Sequence, residues 1–474
     1  MSEIRSAAVP LTWPKAALFI GGAVICFHAA YWPTNFWPIQ LAIFGYVICL
    51  VQLARMPTTR KAYYAGLITG VLCVAPQLTC FWKIFGPAAI VLWYILGFWI
   101  ATFTAMTSAS LRRFGPVATA ILIPLLWMGL EYFRSELYYL KFSWMNVGYA
   151  FLGDSSGLHF FGMYGLGFLT ALVGASFLAL RWYQATIITI CTLILPSTTG
   201  SLGRQNPVNI AGVQMEFPAI ADIRPALDSV IKQYTNADIF VLSEYTLDGP
   251  VPDSLKKWCR EHQRYLVIGG KDPAPDNNFY DTAFVVGTNG DIVFRQGKSV
   301  PIQFFKDGLP APKQDVWDSP WGKIGFCVCY DLSYTRVIDG LVRKGAQLII
   351  VPTMDVVDWG ERQHELHAMV APVRAAEYRI PIFRVASSGI SQAVNFRGRV
   401  LATAPFAGEG KTLFATIQLP NKGSLPLDRY LAPVAVAITG IVLLWLNVGK
   451  LRKKPNTATA NKESENKPEA SAVP

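Results

Sequence analysis

"GFCVCYDLSY", residues 325–334, sets two cysteines two positions apart and follows the second at once with Tyr330 and Asp331. Small and apolar residues lead up to the second cysteine, so the stretch reads as a buried strand ending at Cys329 in a polar turn. Side chains on a strand repeat every two residues, which predicts Cys327 and Cys329 on one face, with Cys329 at the mouth and Cys327 a layer deeper. A deep cysteine on an apolar strand is ordinarily a packing residue. A cysteine at a strand's carboxyl end, against a turn, is a candidate nucleophile.

Outward from that strand, residues 206–420 alternate short β-rich runs with helical patterns. The runs are "VNIAGVQM", "DIFVLSEY", "YLVIGGK", "TAFVVGT", "DIVFRQGK", "KIGFCVCY", "AQLIIVPT" and "IPIFRVASS"; helical periodicity covers 222–236, 252–262, 335–344 and 361–378. Such alternation predicts one α/β domain, and a stretch of this length can bury a substantial core.

The flanks differ in kind. The chain has 474 residues, of which 52% are hydrophobic and only 15% charged, a composition that points to a membrane protein. Apolar spans fall near 15–32, 37–54, 62–82, 86–109, 116–133, 159–181, 183–198 and 429–447. These predict a membrane domain over 1–200 with about seven transmembrane helices, and an eighth within 427–449. The first span resembles a signal peptide but ends in bulky "FHAAYWPTNFW" with no cleavage site, so it is expected to remain as an anchor. The net charge of +11 does not imply a nucleic-acid partner, because Arg55, Arg60, Lys61, Arg112, Arg113 and the Lys450–Lys454 cluster flank apolar runs and no nucleic-acid motif accompanies them. With the N-terminus in the cytoplasm, these charges and Arg181 share one side, and the α/β domain lies on the other. Residues 450–474 are basic and then polar, and are expected to form a disordered cytoplasmic tail. Five of the eight cysteines (Cys26, Cys49, Cys73, Cys80 and Cys191) lie in spans and read as packing residues. Cys259, Cys327 and Cys329 are an odd number for a disulfide framework, so at least one free thiol is expected in the α/β domain.

Two further strand ends carry chemistry. "FVLSEYTLDG" delivers Glu244 and "DIVFRQGKSVPIQFF" delivers Lys298. Singly, Glu244 reads equally well as an exposed turn residue, and a lone Lys in that place is normally a solvated loop charge. Together with Cys329 and the "YD" after it, their order and flanks resemble the nitrilase superfamily of carbon–nitrogen hydrolases and acyltransferases, whose triad is Glu, Lys and Cys. The resemblance continues in "GAQLIIVPT", "RAAEYRIPIFRVASSGIS" and "GRVLATAP". It implies a four-layer αββα sandwich joined to the α-helical transmembrane bundle. It also implies Cys329 as nucleophile, Glu244 as the base that takes its proton, and Lys298 with a backbone N–H as oxyanion stabilisers.

The membrane half narrows the resemblance. "PLLWMGLEYFRSELYYLKFSWMNVGYAF" (124–151) followed by "FFGMYGLGFLTALVG" (160–174) resembles the apolipoprotein N-acyltransferase family, in which seven spans precede the nitrilase domain and one follows. The family implies a multi-pass protein of the bacterial inner membrane with its catalytic domain on the periplasmic face. It implies a phospholipid acyl donor, a diacylglyceryl-modified lipoprotein acceptor, surrounding membrane lipids and no cofactor. The alternative is a membrane-tethered nitrilase-type amidase or acyltransferase acting on another acceptor. Glu131, Arg134 and Trp144 lie in the matching stretch, and Tyr330 and Asp331 follow the cysteine; these are candidate substrate-binding or supporting residues. The bland readings are an ion pair between Glu131 and Arg134, and an aromatic interfacial belt for Trp144.

The chain departs from the family in its loops. A Glu shortly after the catalytic Lys is usual; here the run is "KSVPIQFFKDG", with Lys306 at that count and Asp307 one place later. Asp307 is the expected replacement; the bland reading is a solvated turn aspartate, and Asp331 is a competing candidate that could equally cap the helix after it. Cys-Tyr-Glu is Cys-Tyr-Asp, and Asn-Asp-x-Trp is "MDVVDW". His364 and His367 in "QHELH" lack HExxH spacing, so no metal site is expected.

Overall fold

The computed structural model describes residues 10–33, 37–151, 156–180, 182–193, 207–420 and 422–451. Arg5, Arg181, the Cys191 side chain and the tail beyond residue 451 lie outside the described residues. Helices α1 (Trp13–Ala30), α2 (Ala42–Leu53), α3 (Thr59–Gln77), α4 (Cys80–Phe85), α5 (Ala88–Tyr132), α6 (Ser156–Ala179) and α7 (Trp182–Leu193) precede the first strand. Among the described residues, Trp13–Ala30, Ala88–Leu137, Gly157–Ala179 and Asp428–Asn447 are long and apolar enough to cross a membrane, and Pro38–Leu53 is a shorter apolar helix.

Three expected spans are partitioned differently. The stretch 62–82 is divided, because α3 ends at Gln77 and α4 is a separate short helix. The stretches 86–109 and 116–133 run together as α5, interrupted at Gly115 (φ 79°, ψ 177°). Pro116 causes that break: it has no N–H to offer and drives the preceding residue out of the helical region, and glycine accepts the positive φ.

The second half holds twelve strands: β1 (Pro207–Val213), β2 (Ile239–Val241), β3 (Tyr265–Ala274), β4 (Asn278–Val286), β5 (Ile292–Gly297), β6 (Val316–Ser319), β7 (Gly322–Phe326), β8 (Leu348–Thr353), β9 (Ile382–Ala386), β10 (Ser391–Val394), β11 (Val400–Ala404) and β12 (Thr412–Gln418). They form two six-stranded sheets, in the orders β12-β1-β2-β3-β4-β5 and β11-β10-β9-β8-β7-β6. Strand alternation divides the core. Ile210, Val241 and Val285 join Phe326, Val351 and Val385 between the sheets. Their neighbours Ala211, Phe240 and Phe284 face the other way, against α8 (Ile220–Gln233) and α9 (Asp253–His262). Helices α10 (Thr335–Arg343), α11 (Glu361–Ala368) and α12 (Val370–Tyr378) belong to the second sheet's side, and α12 packs on β9 and β10. The result is the expected αββα sandwich, and α13 (Asp428–Leu451) returns the chain to the apolar helices.

The two halves are joined by polar contacts at a deliberate break. Gly162 interrupts α6 with φ 77°, which frees the amides that follow it. Met163 N–H donates to Glu377 Oε1 on α12 at 2.9 Å, and Tyr164 N–H donates to Asp428 Oδ2 at the start of α13 at 3.0 Å. Carboxylates from the sandwich side thus cap a helix start in the apolar half, where the helix dipole favours negative charge. Arg374 and Arg429 pair with the same carboxylates and keep the buried charge compensated.

Candidate active site

The strand carrying the cysteines is shorter than the sequence reading expects. β7 stops at Phe326, and Cys329 opens a 3-10 turn, Cys329–Ser333, with φ +50°. The pleat therefore does not relate Cys327 to Cys329. A non-glycine residue in the left-handed region is held there by its surroundings. Here Asp331 supplies the hold: its carboxylate accepts from the N–H groups of Val328 (3.3 Å), Ser299 (2.9 Å) and Val300 (2.8 Å). One side chain thereby ties the cysteine turn to the segment directly after Lys298. It caps the turn in which it lies, not α10.

Glu244 lies in the loop after β2 and Lys298 immediately follows β5, so the two strands converge on Cys329 from the opposite sheet. All three side chains are buried. Lys298 Nζ lies 2.7 Å from Glu244 Oε1, 2.8 Å from Asp307 Oδ2 and 3.3 Å from Asp281 Oδ2. Glu244 Oε2 accepts from Met354 N–H at 2.6 Å. The Cys329 thiol is 3.6 Å from the Met354 carbonyl oxygen and within hydrogen-bonding reach of Glu244.

Electrostatics assign the protons. Burial opposes ionisation of Glu244, but Lys298 outweighs it and holds the carboxyl below its ordinary range. Burial disfavours the Lys298 charge too; Glu244, Asp307 and Asp281 overcome this and raise its pKa well above the usual value. Cys329 is pushed well above the ordinary thiol range by burial and then by the Glu244 charge. At rest the site is therefore a thiol beside a carboxylate that is ready to take its proton. Burial and the Glu244 charge raise the Asp281 carboxyl well above the carboxylate range, so of the two neighbouring acids Glu244 ionises first. The oxygens of Glu244, Asp281 and Asp307 lie within 4.8 Å of one another, a spacing that suits a cation, and the Lys298 ammonium is that cation.

Asp307 stands beside Lys298, where the count along the loop expects a replacement acid. Its oxygens also accept from Tyr245 OH at 2.8 Å and Ile302 N–H at 2.7 Å. Asp281 is missed by the sequence reading. Its signal is present in "NFYDTAFVV": Asp281 shares strand parity with Ala283 and Val285, which face the buried space between the sheets.

Cys329 and Tyr330 lie in the wall of an apolar cavity whose other walls come from α4, the first turns of α5, the 140–144 loop, the 302–305 loop, Trp359 and α11. Phe81, Leu92, Leu96, Phe142 and Phe305 are among its lining residues. Trp144 also lines it, donating from Nε1 to Ser333 Oγ at 3.0 Å and stacking on His367 with centroids 4.7 Å apart. Tyr330 OH donates to the Lys141 carbonyl oxygen at 3.3 Å. Glu131 and Arg134 are elsewhere, in a second cavity among the apolar helices. They are bonded to one loop and not to each other: Val147 N–H donates to Glu131 Oε1 at 2.8 Å, and Arg134 donates to Asn146 Oδ1. The ion pair expected from their spacing is replaced by support of the loop that carries Trp144.

Both halves of the chain match known families. The apolipoprotein N-acyltransferase N-terminal domain matches residues 23–176, and the carbon-nitrogen hydrolase family matches residues 215–426. The chain is similar to apolipoprotein N-acyltransferases along most of its length. It is 24% identical to the apolipoprotein N-acyltransferase of Geobacter metallireducens over 422 residues, covering 74% of this chain and 80% of that one. Against the apolipoprotein N-acyltransferase of Nitrosomonas europaea, identity is 22% over 493 residues, covering 90% and 96%. Among solved structures, Saccharomyces cerevisiae Nit3, a member of branch 10 of the nitrilase superfamily, matches with a TM-score of 0.39 and 19% identity, over 47% of this chain and 93% of that one. These matches, with the long apolar helices, support a membrane protein and an acyltransferase of the carbon–nitrogen hydrolase superfamily.

Proposed function

We propose that the protein carries an acyl chain from a phospholipid to the N-terminal amine of a diacylglyceryl-modified lipoprotein, in two half-reactions through a thioester on Cys329. In the first, Glu244 takes the thiol proton as Sγ attacks the ester carbonyl. Lys298 Nζ and a backbone N–H near Cys329 stabilise the oxyanion, and the lysophospholipid alkoxide leaves with the proton that Glu244 returns. In the second, the amine attacks the thioester, Glu244 takes a proton from its nitrogen, and the proton goes to the departing sulfur. The product is an amide. Asp307 and Asp281 hold Lys298 and Glu244 in the charge states this sequence needs.

The observation that carries this reading is the cavity. The buried thiol opens onto an apolar space walled partly by α4 and α5, a surface suited to a lipid-borne substrate and of no use for a small soluble amide. We further propose that the sandwich lies on the outer face of the inner membrane, with Arg55, Arg60, Lys61, Arg112 and Arg113 on the cytoplasmic side. Mass spectrometry of lipoprotein N-termini, from cells with and without this protein, tests the activity. An N-terminal amide that disappears with the protein is the expected result, and unchanged N-termini would refute it.

A further inference from the structure

Two buried hydrogen-bond acceptors in the wall of the Cys329 cavity have no donor. Gln363 and His367 are one turn apart on α11, so they share a helix face, and both line the cavity. They are nearly fully buried, at 3% and 2% exposure. Asp355 holds both from behind: Gln363 Nε2 donates to Asp355 Oδ1 at 3.2 Å, and His367 Nδ1 lies 2.8 Å from the same oxygen. Asp355 is itself paired with Arg384, whose guanidinium also sits 3.0 Å from His367 Nδ1, and His364 Nδ1 is 3.9 Å from Asp355 Oδ2. Burial opposes the Asp355 charge, but the Arg384 guanidinium and the hydrogen bond to His367 hold its carboxyl well below the usual range.

These contacts settle which atoms face the cavity unpaired. Two groups face His367 Nδ1: Asp355 Oδ1, which only accepts, at 2.8 Å, and Arg384 Nη2, which only donates, at 3.0 Å. Arg384 has Asp355 Oδ2 to donate to, so the nearer Asp355 contact favours the tautomer with its proton on Nδ1, and Nε2 then carries a bare lone pair. Burial, with Arg384 alongside, pulls the His367 pKa down, which keeps the ring neutral near pH 7. The Gln363 amide is spent on Asp355, which leaves Oε1 bare. Neither His367 Nε2 nor Gln363 Oε1 meets a donor among the described residues. The stack of Trp144 on His367, at 19° between planes, fixes the ring's direction. Leaving a buried acceptor unsatisfied costs about 1–3 kcal/mol, so two of them beside a nucleophile mark a place reserved for donors.

We propose that Gln363 Oε1 and His367 Nε2 receive the N–H groups of an amine or ammonium brought next to Cys329. The proposal rests on reading the cavity as the acyl-transfer site. An ester's reacting end carries no N–H, so the pair distinguishes a nitrogen-bearing group from the ester. Two sources share this chemistry: the acceptor's α-amine in the second half-reaction, and an ethanolamine head group on the donor in the first. For the acceptor the pair also suits the reactive protonation state. An α-amino group, with pKa near 8, is in part neutral near pH 7, its proton going to solvent. Two acceptors hold the N–H groups of that neutral amine, and its lone pair stays free for attack.

The test uses the full chain in lipid nanodiscs with two variants, Gln363→Leu and His367→Phe, the latter keeping a ring under Trp144. Thioester formation is timed with phosphatidylethanolamine and with phosphatidylglycerol, and its aminolysis is timed with a diacylglyceryl-cysteine peptide. We expect aminolysis to slow at least about tenfold more than thioester formation if the acceptor amine is bound there. Slowing of thioester formation with phosphatidylethanolamine alone identifies the head group instead. Equal slowing of every step with both donors marks a merely structural role and overturns the proposal. Independently of turnover, Cys329→Ala protein should bind one of the two amines at least about tenfold more tightly than its N-acetylated form, and both variants should lose that preference. No preference for either amine overturns the proposal. Absence of any thioester in the unmodified protein counts against the Cys329 reading alone.

Discussion

Replacing Asp307 by asparagine removes one charge and one acceptor from the group around Lys298. Three donors converge on the two carboxylate oxygens of Asp307: Tyr245 OH at 2.8 Å, Ile302 N–H at 2.7 Å and Lys298 Nζ at 2.8 Å. Asparagine has a single acceptor oxygen, so its NH₂ must face at least one of those donors. A buried donor left without a partner costs about 1–3 kcal/mol, with charged donors at the upper end. The gross attraction of the lost charge for Lys298 is about 6 kcal/mol at an effective dielectric near 20. Most of that is offset by relief of carboxylate desolvation, while Glu244, at 2.7 Å, still holds the ammonium. Lys298 should settle toward Glu244 and away from the oxyanion. The expected barrier increase is about 1.4–2.7 kcal/mol, a loss of about 10- to 100-fold in thioester formation. Single-turnover reactions with phospholipid, followed by intact-protein mass spectrometry, read this rate, and a melting curve checks the fold. Tyr245→Phe removes one donor and keeps the charge, so its loss should be smaller. An Asp307→Asn protein that is folded and within about twofold of the parent rate, less than 0.5 kcal/mol, would refute the reasoning, as would an equal loss in Tyr245→Phe.

Cys329→Ala should abolish thioester formation, whereas Cys327→Ala should retain it and lose about 1–2 kcal/mol of stability from buried packing; thioester surviving in Cys329→Ala would reverse the assignment. Thioester formation should not climb through the ordinary thiol range near pH 8.5, because burial and Glu244 keep the Cys329 thiol protonated until attack. It should instead fall below about pH 6, where Asp331, pushed up to about 6 by burial, takes up a proton and loses capacity for the Ser299 and Val300 amides. Asp331→Asn should be slower and flat across that range, and a tenfold rise per pH unit between about 8 and 9 in the parent would count against a protonated resting thiol. Gly162→Ala would put a Cβ 2.1 Å from Asp428 Oδ2 at a φ of +77°. Backbone strain and the lost cap on Tyr164 should together lower stability by about 2–4 kcal/mol, and an unchanged melting temperature would show that the junction yields freely. Reporter fusions at residues 300 and 460 should give opposite signals, and a shared signal would overturn the proposed orientation.

What the sequence disclosed followed range. Local periodicity was enough for α8 to α12 and for the long strands, because each writes its burial into consecutive residues. Glu244, Lys298 and Cys329 were legible as residues at or just past strand ends, and Asp307 by counting along its loop. Cys329's left-handed backbone was not legible, since it depends on Asp331 reaching two amides in a loop thirty-odd positions earlier in the chain. Asp281 was overlooked because an acid in a strand reads as an exposed residue until its parity is compared with Ala283 and Val285. Spacing within "QHELH" could not reveal Asp355 and Arg384, which are brought to His367 from just past β8 and from the middle of β9. The short strands β6, β10, β11 and β12 escaped because none forms a continuous apolar run of its own.

The shared wall between the Cys329 cavity and the helices α4 and α5 bears on the energy of handling a lipid. Lifting a chain of about fifteen methylenes out of an apolar phase into water costs about 12 kcal/mol, at roughly 0.8 kcal/mol for each. Placed on top of a chemical barrier, that amount would slow the reaction about 10⁹-fold. Leu92, Ile95 and Leu96 of α5 stand in the same wall as Cys329. A chain sliding in past them moves from one apolar surroundings to another, and the extraction term drops out. In the proposed reaction, what the enzyme must still supply is the comparatively modest cost of bringing an ester, and later an amine, to one buried sulfur.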